Sequence, residues 1–197
     1  MKIYDISQEI FTCEVYPGDP APTKQTLSSM EKGDLYNLTA FSMCAHNGTH
    51  VDAPFHFINE GKTIDKIPLE AFVGPAYVAE HYGEMTAQDA REIFSQAHNA
   101  KGDPIKRIII KGQSIVSLEA AKVFSEAGIY LLGVESQSVG PIDAPMAVHK
   151  ELLNNETVLL EGLRLDSVPK GVYLLSAAPL NLSGSDGAPC RAVLIDF

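Results

Sequence analysis

The sequence predicts an α/β fold built on a mixed, partly parallel sheet. Short apolar runs at residues 108–110, 129–134 and 157–160 are typical of buried strands. Segments with helical spacing separate these runs along the chain. This alternation is typical of parallel strands joined by right-handed crossovers.

The first 80 residues favour shorter extended pieces. Residues 3–10 alternate apolar and polar side chains, which predicts a half-buried strand. The sequence Pro-Gly-Asp-Pro at 17–20 marks a turn. Residues 38–44 and 73–80 are two further strand candidates, so we expect antiparallel additions to the front of the sheet.

Capping residues delimit the predicted helices. Thr86 and Asp89 have the spacing of a capping box before apolar residues that recur at helical intervals up to position 97. Ser117 can cap a second helix that ends near Gly128. A third helix is predicted at 145–153, and strands at 172–176 and 192–197 complete the sheet.

Composition predicts one globular domain over residues 1–197. Hydrophobic residues make up 45% of the chain and charged residues 20%. No apolar run approaches the ~20 residues of a membrane span, and the start lacks a signal-peptide pattern. Cys13, Cys44 and Cys190 are widely spaced, which favours free thiols in a reducing compartment, so we expect a cytoplasmic protein.

The formal charge of −10 argues against partners that carry phosphate. Lys106, Arg107 and Lys111 form the nearest approach to a basic cluster, but they flank an apolar strand. We expect them to be the solvated ends of that strand. Neither nucleic acid nor an anionic membrane is therefore an expected partner.

Three of the six histidines lie within residues 46–56, together with one aspartate. Imidazole nitrogen and carboxylate oxygen are ligands of zinc and similar ions. In an extended segment His50 and Asp52 point to the same side, and a turn at Gly48 can bring in His46. These three residues are candidate metal ligands, and His56 is a candidate proton shuttle.

A second group of candidates lies further along the chain. His149 precedes the strand at 157–160, and Glu161 follows it directly. Spacing leaves two interpretations open, a second half of the metal site or a solvent-facing histidine with a strand-ending glutamate. His81 and His98 have no acidic neighbours at suggestive spacing and are expected at the surface.

Residues 46–56, His-Asn-Gly-Thr-His-Val-Asp-Ala-Pro-Phe-His, resemble the H-x-G-T-H-x-D-A-P-x-H signature of the cyclase family of metal-dependent hydrolases. This family includes bacterial kynurenine formamidases and isatin hydrolases. The resemblance extends through residues 61–70, 149–153, 160–163 and 184–192, and so covers most of the chain. It implies a swivelling β/β/α domain that assembles as a homodimer or homotetramer.

The resemblance also implies a role for each candidate residue. His46, His50 and Asp52 would hold one divalent ion, zinc or manganese. Asp52 would bridge to a second ion bound by His149, and Glu161 would contact both. His56 would be the general acid/base. Tyr16 occupies the family's aromatic substrate-contact position.

The implied activity is hydrolysis of a C–N amide bond in a small molecule, most like that of a kynurenine formamidase. Tyr16 replaces the family's usual Trp or Phe, and Glu135 replaces an expected Asp, a change expected to reshape the pocket. A cyclic amide or lactone hydrolase of the same family is therefore an alternative. A non-catalytic metal-binding module is a second alternative, although structural zinc sites favour cysteine ligands.

Overall fold

The computed structural model describes residues 1–101 and 105–196, which form thirteen strands and three α-helices. The strands are β1 (Lys2–Asp5), β2 (Thr23–Ser28), β3 (Leu38–Ser42), β4 (His50–Asp52), β5 (Val73–Glu80), β6 (Gly83–Met85), β7 (Arg107–Lys111), β8 (Ser114–Val116), β9 (Leu131–Val134), β10 (Val158–Glu161), β11 (Gly171–Ser176), β12 (Gly187–Pro189) and β13 (Val193–Asp196). The helices are α1 (Ala87–Lys101), α2 (Leu118–Glu126) and α3 (Met146–Asn154).

Nine of these strands form one mixed sheet in the order β1-β13-β11-β5-β7-β9-β10-β4-β12. The central strands β5, β7, β9 and β10 run parallel, as the alternating pattern predicts. Ile108 and Ile110 pack with the helices, whereas Ile109 faces the core on the other side of the sheet. Burial on both faces explains why residues 108–110 in the middle of this strand are all apolar. The α/β prediction is therefore confirmed.

The predicted caps are present at two helices. The Thr86 N–H donates to the Asp89 carboxylate, and the Asp89 N–H donates to the Thr86 hydroxyl, which completes the capping box of α1. The Ser117 hydroxyl accepts from the Ala120 N–H at the start of α2. Gly128 adopts a φ of 61° just after that helix, as a C-terminal glycine does.

The remaining sheet strands are antiparallel and come from both ends of the chain. The strand expected at residues 3–10 is shorter, because β1 ends at Asp5, and it buries Tyr4 and not Ile3. Beyond β1 the chain leaves the sheet and enters a 3-10 turn at Ile10–Thr12. At the other end β13 spans Val193–Asp196, and Phe197 lies outside the described residues.

The strand predicted at residues 38–44 exists as β3, but it is not part of the main sheet. It pairs with β2 in a separate two-stranded ribbon, most of whose residues are exposed. The turn at 17–20 precedes this ribbon as predicted, with the Asp19 N–H donating to the Tyr16 carbonyl. No helix in the described part of the chain has the length and hydropathy required to cross a bilayer.

The prediction that Arg107 lies at a solvated strand end is wrong. Its side chain is buried and donates to the carbonyls of Glu70, Ala71 and Pro75. Its neighbour Lys111 donates to the Val168 carbonyl, 2.8 Å away. Both cationic side chains therefore donate hydrogen bonds to backbone carbonyls of neighbouring segments, and these bonds stabilise the fold.

Helix α3, which carries His149, ends in a turn that favours glycine. The N–H groups of Glu156 and Thr157 donate to the carbonyls of Leu153 and Leu152, the pairing of a Schellman motif. Glu156 occupies the left-handed position with a φ of 59°. Its carboxylate pairs with Lys62 at the surface.

We expect Glu156→Gly to raise the free energy of unfolding by about 0.5–1 kcal/mol, because glycine has no Cβ to strain in this conformation. The exposed ion pair with Lys62 contributes little, about 0–1 kcal/mol. Glu156→Gln is the matched control, since it removes the charge and keeps the strained backbone. Urea unfolding of the three proteins measures the difference, and a glycine variant no more stable than the glutamine variant would contradict the assignment.

Candidate metal centre

The candidate site forms where β4 lies between β10 and β12. In the antiparallel registers, His50 is opposite Glu161 and Asp52 is opposite Gly187. His50 and Asp52 therefore lie on the same side of β4, with Nε2 of His50 3.3 Å from Oδ1 of Asp52. The intervening Val51 packs into the hydrophobic core.

Gly48 allows the chain to turn between His46 and His50. It adopts a φ of 66°, and a Cβ atom there would lie 2.8 Å from Cδ1 of Ile10. This turn places Nδ1 of His46 2.8 Å from Oδ1 of Asp52. The three candidate ligands predicted from the spacing of this segment therefore converge.

His149 and Glu161 complete the cluster from distant parts of the chain. Nε2 of His149 lies 3.4 Å from Oε1 of Glu161 and 3.6 Å from Oδ2 of Asp52. Oε2 of Glu161 lies 3.6 Å from Nε2 of His50. The structure thus favours the half-site interpretation of His149 and Glu161 over the solvent-facing one, since both side chains are buried.

Backbone groups hold these side chains in orientation. Nδ1 of His50 donates to the Gly48 carbonyl at 3.0 Å, and Nδ1 of His149 donates to the Pro145 carbonyl at 2.9 Å. The Val139 N–H donates to Oε1 of Glu161 at 2.7 Å. Both imidazoles therefore turn Nε2 toward the carboxylates, and such supporting bonds are typical of metal-binding histidines.

The electrostatics of this cluster favour charged side chains. Burial by itself would lower the pKa of His46, but hydrogen bonds to Asp186 and Asp52 outweigh it and raise that pKa to about 11. Burial likewise opposes a charge on His50, whose pKa is nevertheless raised by the Asp52 carboxylate. Burial would raise the pKa of Asp52, yet His46 and His50 hold it well below its usual value. Glu161 raises the pKa of His149 against the effect of burial.

The donor chemistry fits a divalent cation. The donor atoms form three groups, and within each group all the atoms lie within 4.8 Å of one another. The groups are Asp52/His149/Glu161, His46/His50/Asp52 and His46/His56/Asp186. Asp52 belongs to two of them, and the first group is fully buried. Imidazole nitrogen with carboxylate oxygen, without thiolate, is the donor set of zinc and manganese sites that carry out chemistry.

The cluster lies in a cavity of about 390 Å³. His56 and Phe57 form part of its wall, and Tyr16 lies on the wall with its hydroxyl donating to the Ile142 carbonyl at 2.8 Å. Gln137 and Ser138 also line the cavity. Among the described residues, the side-chain polar atoms of these last two have no hydrogen-bond partner, although they are buried.

Glu135 does not line this cavity, and whether its replacement of Asp reshapes the pocket stays a prediction. Its carboxylate accepts from the N–H groups of Gly112 and Leu165 and so joins two loops. His81 differs from expectation, because its Nδ1 lies 2.8 Å from the Ser114 hydroxyl and its Nε2 3.6 Å from Asp89. His98 is exposed, as expected.

Sequence reasoning missed Asp186. Its Oδ2 lies 2.8 Å from Nε2 of His46 and 3.1 Å from Nδ1 of His56. The residue lies within the segment 184–192 that carries the family resemblance, but spacing could not connect it to the signature, 140 positions away from His46. The pairing of β12 with β4 brings Asp186 beside the histidines, and this contact has no local sequence pattern.

Comparisons with known proteins agree with this geometry. The family profile described as "Putative cyclase" matches residues 4–141. A kynurenine formamidase from Salinibacter ruber is 36% identical, over 100% of this chain and 98% of the relative. A solved structure described as "Potential Metal-Dependent Hydrolase With Cyclase Activity" is 28% identical over 98% of this chain and 96% of that chain, with a TM-score of 0.81. Isatin hydrolase A from Labrenzia aggregata shares the fold, with 23% identity over 100% of this chain and 94% of that chain and a TM-score of 0.83.

The raised pKa values make metal binding depend on pH. His46, with a pKa of about 11, carries a proton near neutral pH, and a metal ion has to displace that proton to bind the nitrogen. Binding is therefore expected to release about one proton or more per ion, and apparent affinity should rise with pH up to about 11.

Calorimetric titration of metal-free protein with zinc chloride, in two buffers of different ionisation enthalpy, counts the protons released. The variant His98→Ala, which lacks an exposed histidine outside the cluster, should give the same count as the unmodified protein. Identical heats in both buffers would show that no proton leaves, and the assignment of His46 as a ligand would then fail.

Proposed function

The chain belongs to the cyclase family, and we propose that it is a metal-dependent hydrolase that cleaves the amide C–N bond of an N-formyl aryl amine, with N-formylkynurenine as the model substrate. The observation that carries this proposal is the convergence of His46, His50 and Asp52 with His149 and Glu161 beside an open cavity. The kynurenine formamidase activity named for the relative from Salinibacter ruber supports the choice of substrate.

The donor groups suggest how metal would be held. His46, His50 and Asp52 would bind one ion, while His149 and Glu161, with Asp52 as a shared carboxylate, would bind a second. Zinc and manganese both suit these ligands. A bound divalent ion lowers the pKa of a bound water from about 16 to near 7 and polarises a carbonyl oxygen.

His56 is the proposed general acid/base. Its ring centre lies 4.1 Å from that of His46, so it borders the donor cluster and the cavity at the same time. Its Nδ1 is bound to Asp186, which leaves Nε2 to exchange protons with the reactants. In this role His56 takes a proton from the attacking water and delivers it to the departing amine nitrogen.

Tyr16 is the proposed contact for the aryl group of the substrate. Because its hydroxyl is already donated to the Ile142 carbonyl, the aromatic face of the side chain is the part that remains for binding. Phe57 is a second ring on the cavity wall. Two aromatic side chains beside a metal cluster suit a flat, apolar leaving group.

We also propose that the protein is a homo-oligomer, with the β2–β3 ribbon as its contact surface. An isolated two-stranded ribbon is marginally stable in water. This ribbon and its connections expose the large apolar side chains of Leu27, Leu35, Leu38 and Phe41. A second copy of the chain would cover them.

Light scattering in dilute buffer tests this assembly, and the expected mass is that of a dimer or a multiple of it. Phe41→Glu should reduce that mass, because it places a charge in the apolar contact. Tyr82→Glu, at an exposed aromatic outside the ribbon, is the control and should not change the mass. A mass of one chain for the unmodified protein would contradict the proposal.

We place the protein in the cytoplasm on the basis of its thiols. Cys13, Cys44 and Cys190 are all free, which suits a reducing compartment. Fractionation of cells that produce the native protein checks this location, and recovery of an oxidised, disulfide-linked form outside the cytoplasm would contradict it.

Formate release from N-formylkynurenine tests the proposed activity directly. His56→Ala should lower kcat by about 10²–10⁴-fold, the usual contribution of a general acid/base. Bound metal, measured by elemental analysis, and the melting temperature should stay close to those of the unmodified protein, since the change leaves the five proposed ligands in place.

Isatin is the comparison substrate. Ring opening of isatin without any cleavage of aryl formamides would replace this proposal by a cyclic amide hydrolase. Absence of both activities, together with a large loss of stability on chelation, would instead indicate a structural metal.

A further inference from the structure

We propose that Asp186 is a positioning residue that keeps His56 in the Nδ1–H tautomer, so that Nε2 faces the reactants during catalysis. This inference rests on the proposed function, because it assigns a partner to the proposed general acid/base. The observation that carries it is the contact between Nδ1 of His56 and Oδ2 of Asp186, 3.1 Å apart on the cavity wall.

The loop that carries Asp186 is fastened to both sides of the turn that carries His56. The Ala53 N–H donates to the Asp186 carbonyl, and the Ile64 N–H donates to the Ser185 carbonyl, each at 2.9 Å. His56 lies between these two attachment points, in the 3-10 turn Pro54–His56. The backbone thus sets the distance between the carboxylate and the imidazole.

Strand pairing adds a further restraint on Asp186. Gly187 begins β12 and lies opposite Asp52, so Asp186 enters the site next to the donor cluster. A Cβ atom at Gly187 would lie 2.7 Å from the Val51 carbonyl and 2.8 Å from Cε1 of His46. The close approach allowed by glycine brings the carboxylate within reach of both histidines.

The carboxylate determines which nitrogen of His56 carries out proton transfer. As an acceptor it keeps the proton on Nδ1, so that the lone pair of Nε2 is free to take a proton from water. In the second half of the reaction the Nε2–H bond breaks and its proton moves to the amine nitrogen as the C–N bond breaks. Asp186 stays ionised throughout and stabilises the transient imidazolium.

Asp186 also contacts His46, so a purely structural or metal-supporting role has to be separated from the proposed one. Loss of metal support would lower hydrolysis of every substrate alike. Loss of His56 positioning would instead affect substrates in proportion to their need for a proton on the leaving amine. A series of formanilides with different ring substituents distinguishes these two effects.

We expect Asp186→Asn in the metal-loaded enzyme to lower kcat for unsubstituted formanilide by about 10²-fold or more, the scale of lost acid/base catalysis. For 4-nitroformanilide, whose amine leaves without full protonation, kcat should fall by about tenfold or less. The dependence of kcat on amine basicity therefore steepens, while elemental analysis shows unchanged metal content.

Asp65→Asn is the matched control. Asp65 accepts from the Gly184 N–H and so holds the same loop, and within the described part of the chain its side chain contacts Thr63 and Lys66 and not a histidine. This variant should keep the unmodified dependence on amine basicity. If it steepens the dependence as much as Asp186→Asn does, loop position and not the contact with His56 is responsible, and the proposal fails.

A double-mutant cycle tests whether Asp186 acts through His56. In the His56→Ala background, Asp186→Asn should lower kcat by no more than about twofold, because residues that act as one unit are not additive. Full additivity of the two effects would overturn the proposal.

A spectroscopic measurement keeps this test independent of the proposed substrate. In ¹⁵N-histidine-labelled protein loaded with zinc, neutral His56 should show the Nδ1–H tautomer, and Asp186→Asn should shift it toward Nε2–H. If aryl formamides are not cleaved but this shift occurs, the proposed function fails and the positioning role stands. An unchanged tautomer would refute the positioning role whatever the substrate.

Discussion

Two carboxylates with almost no solvent exposure dominate this structure. Asp52 and Glu161 are 1% and 2% exposed, and a buried negative charge is costly unless cations or hydrogen bonds compensate it. His46, His50 and His149 surround them, and the neighbouring carboxylates raise the pKa of each of these histidines. Divalent metal can supply the same compensation more compactly, because one ion replaces several protons. The two buried carboxylates therefore require positive charge close by, from protonated histidines or from a bound cation.

The short strand β4 lies between β10 and β12 in the sheet, and its pairing with them brings these residues together. β4 has only three residues, yet its pairing with β10 sets His50 beside Glu161, and its pairing with β12 brings Asp186 close to His46. The neighbouring parallel strands contribute buried apolar side chains to the hydrophobic cores on both faces of the sheet. Hydrogen bonds from backbone groups hold His50, His149 and Glu161 in orientation, and such support favours a precise arrangement of metal ligands.

How much the sequence predicts depends on the range of the interactions involved. Local signals predicted the capped helix α1, the strand β5 and the convergence of His50 with Asp52, since caps and strand periodicity act over a few residues. Spacing could not place Glu161 beside His50 or Asp186 beside His56, because strand register across the sheet determines both contacts. The separate β2–β3 ribbon and the buried Arg107 were missed for the same reason, since both depend on which segments become neighbours.

Anomalous X-ray scattering from crystals of the zinc-loaded protein tests the central claim most directly. We expect an anomalous peak for zinc at roughly 2.0–2.2 Å from a carboxylate oxygen of Asp52, the distance typical of zinc–oxygen ligation. Either His149 and Glu161 or His46 and His50 should complete the ligands. Zinc found only at surface histidines such as His98, with the Asp52 and Glu161 carboxylates still paired to protonated imidazoles, would contradict it.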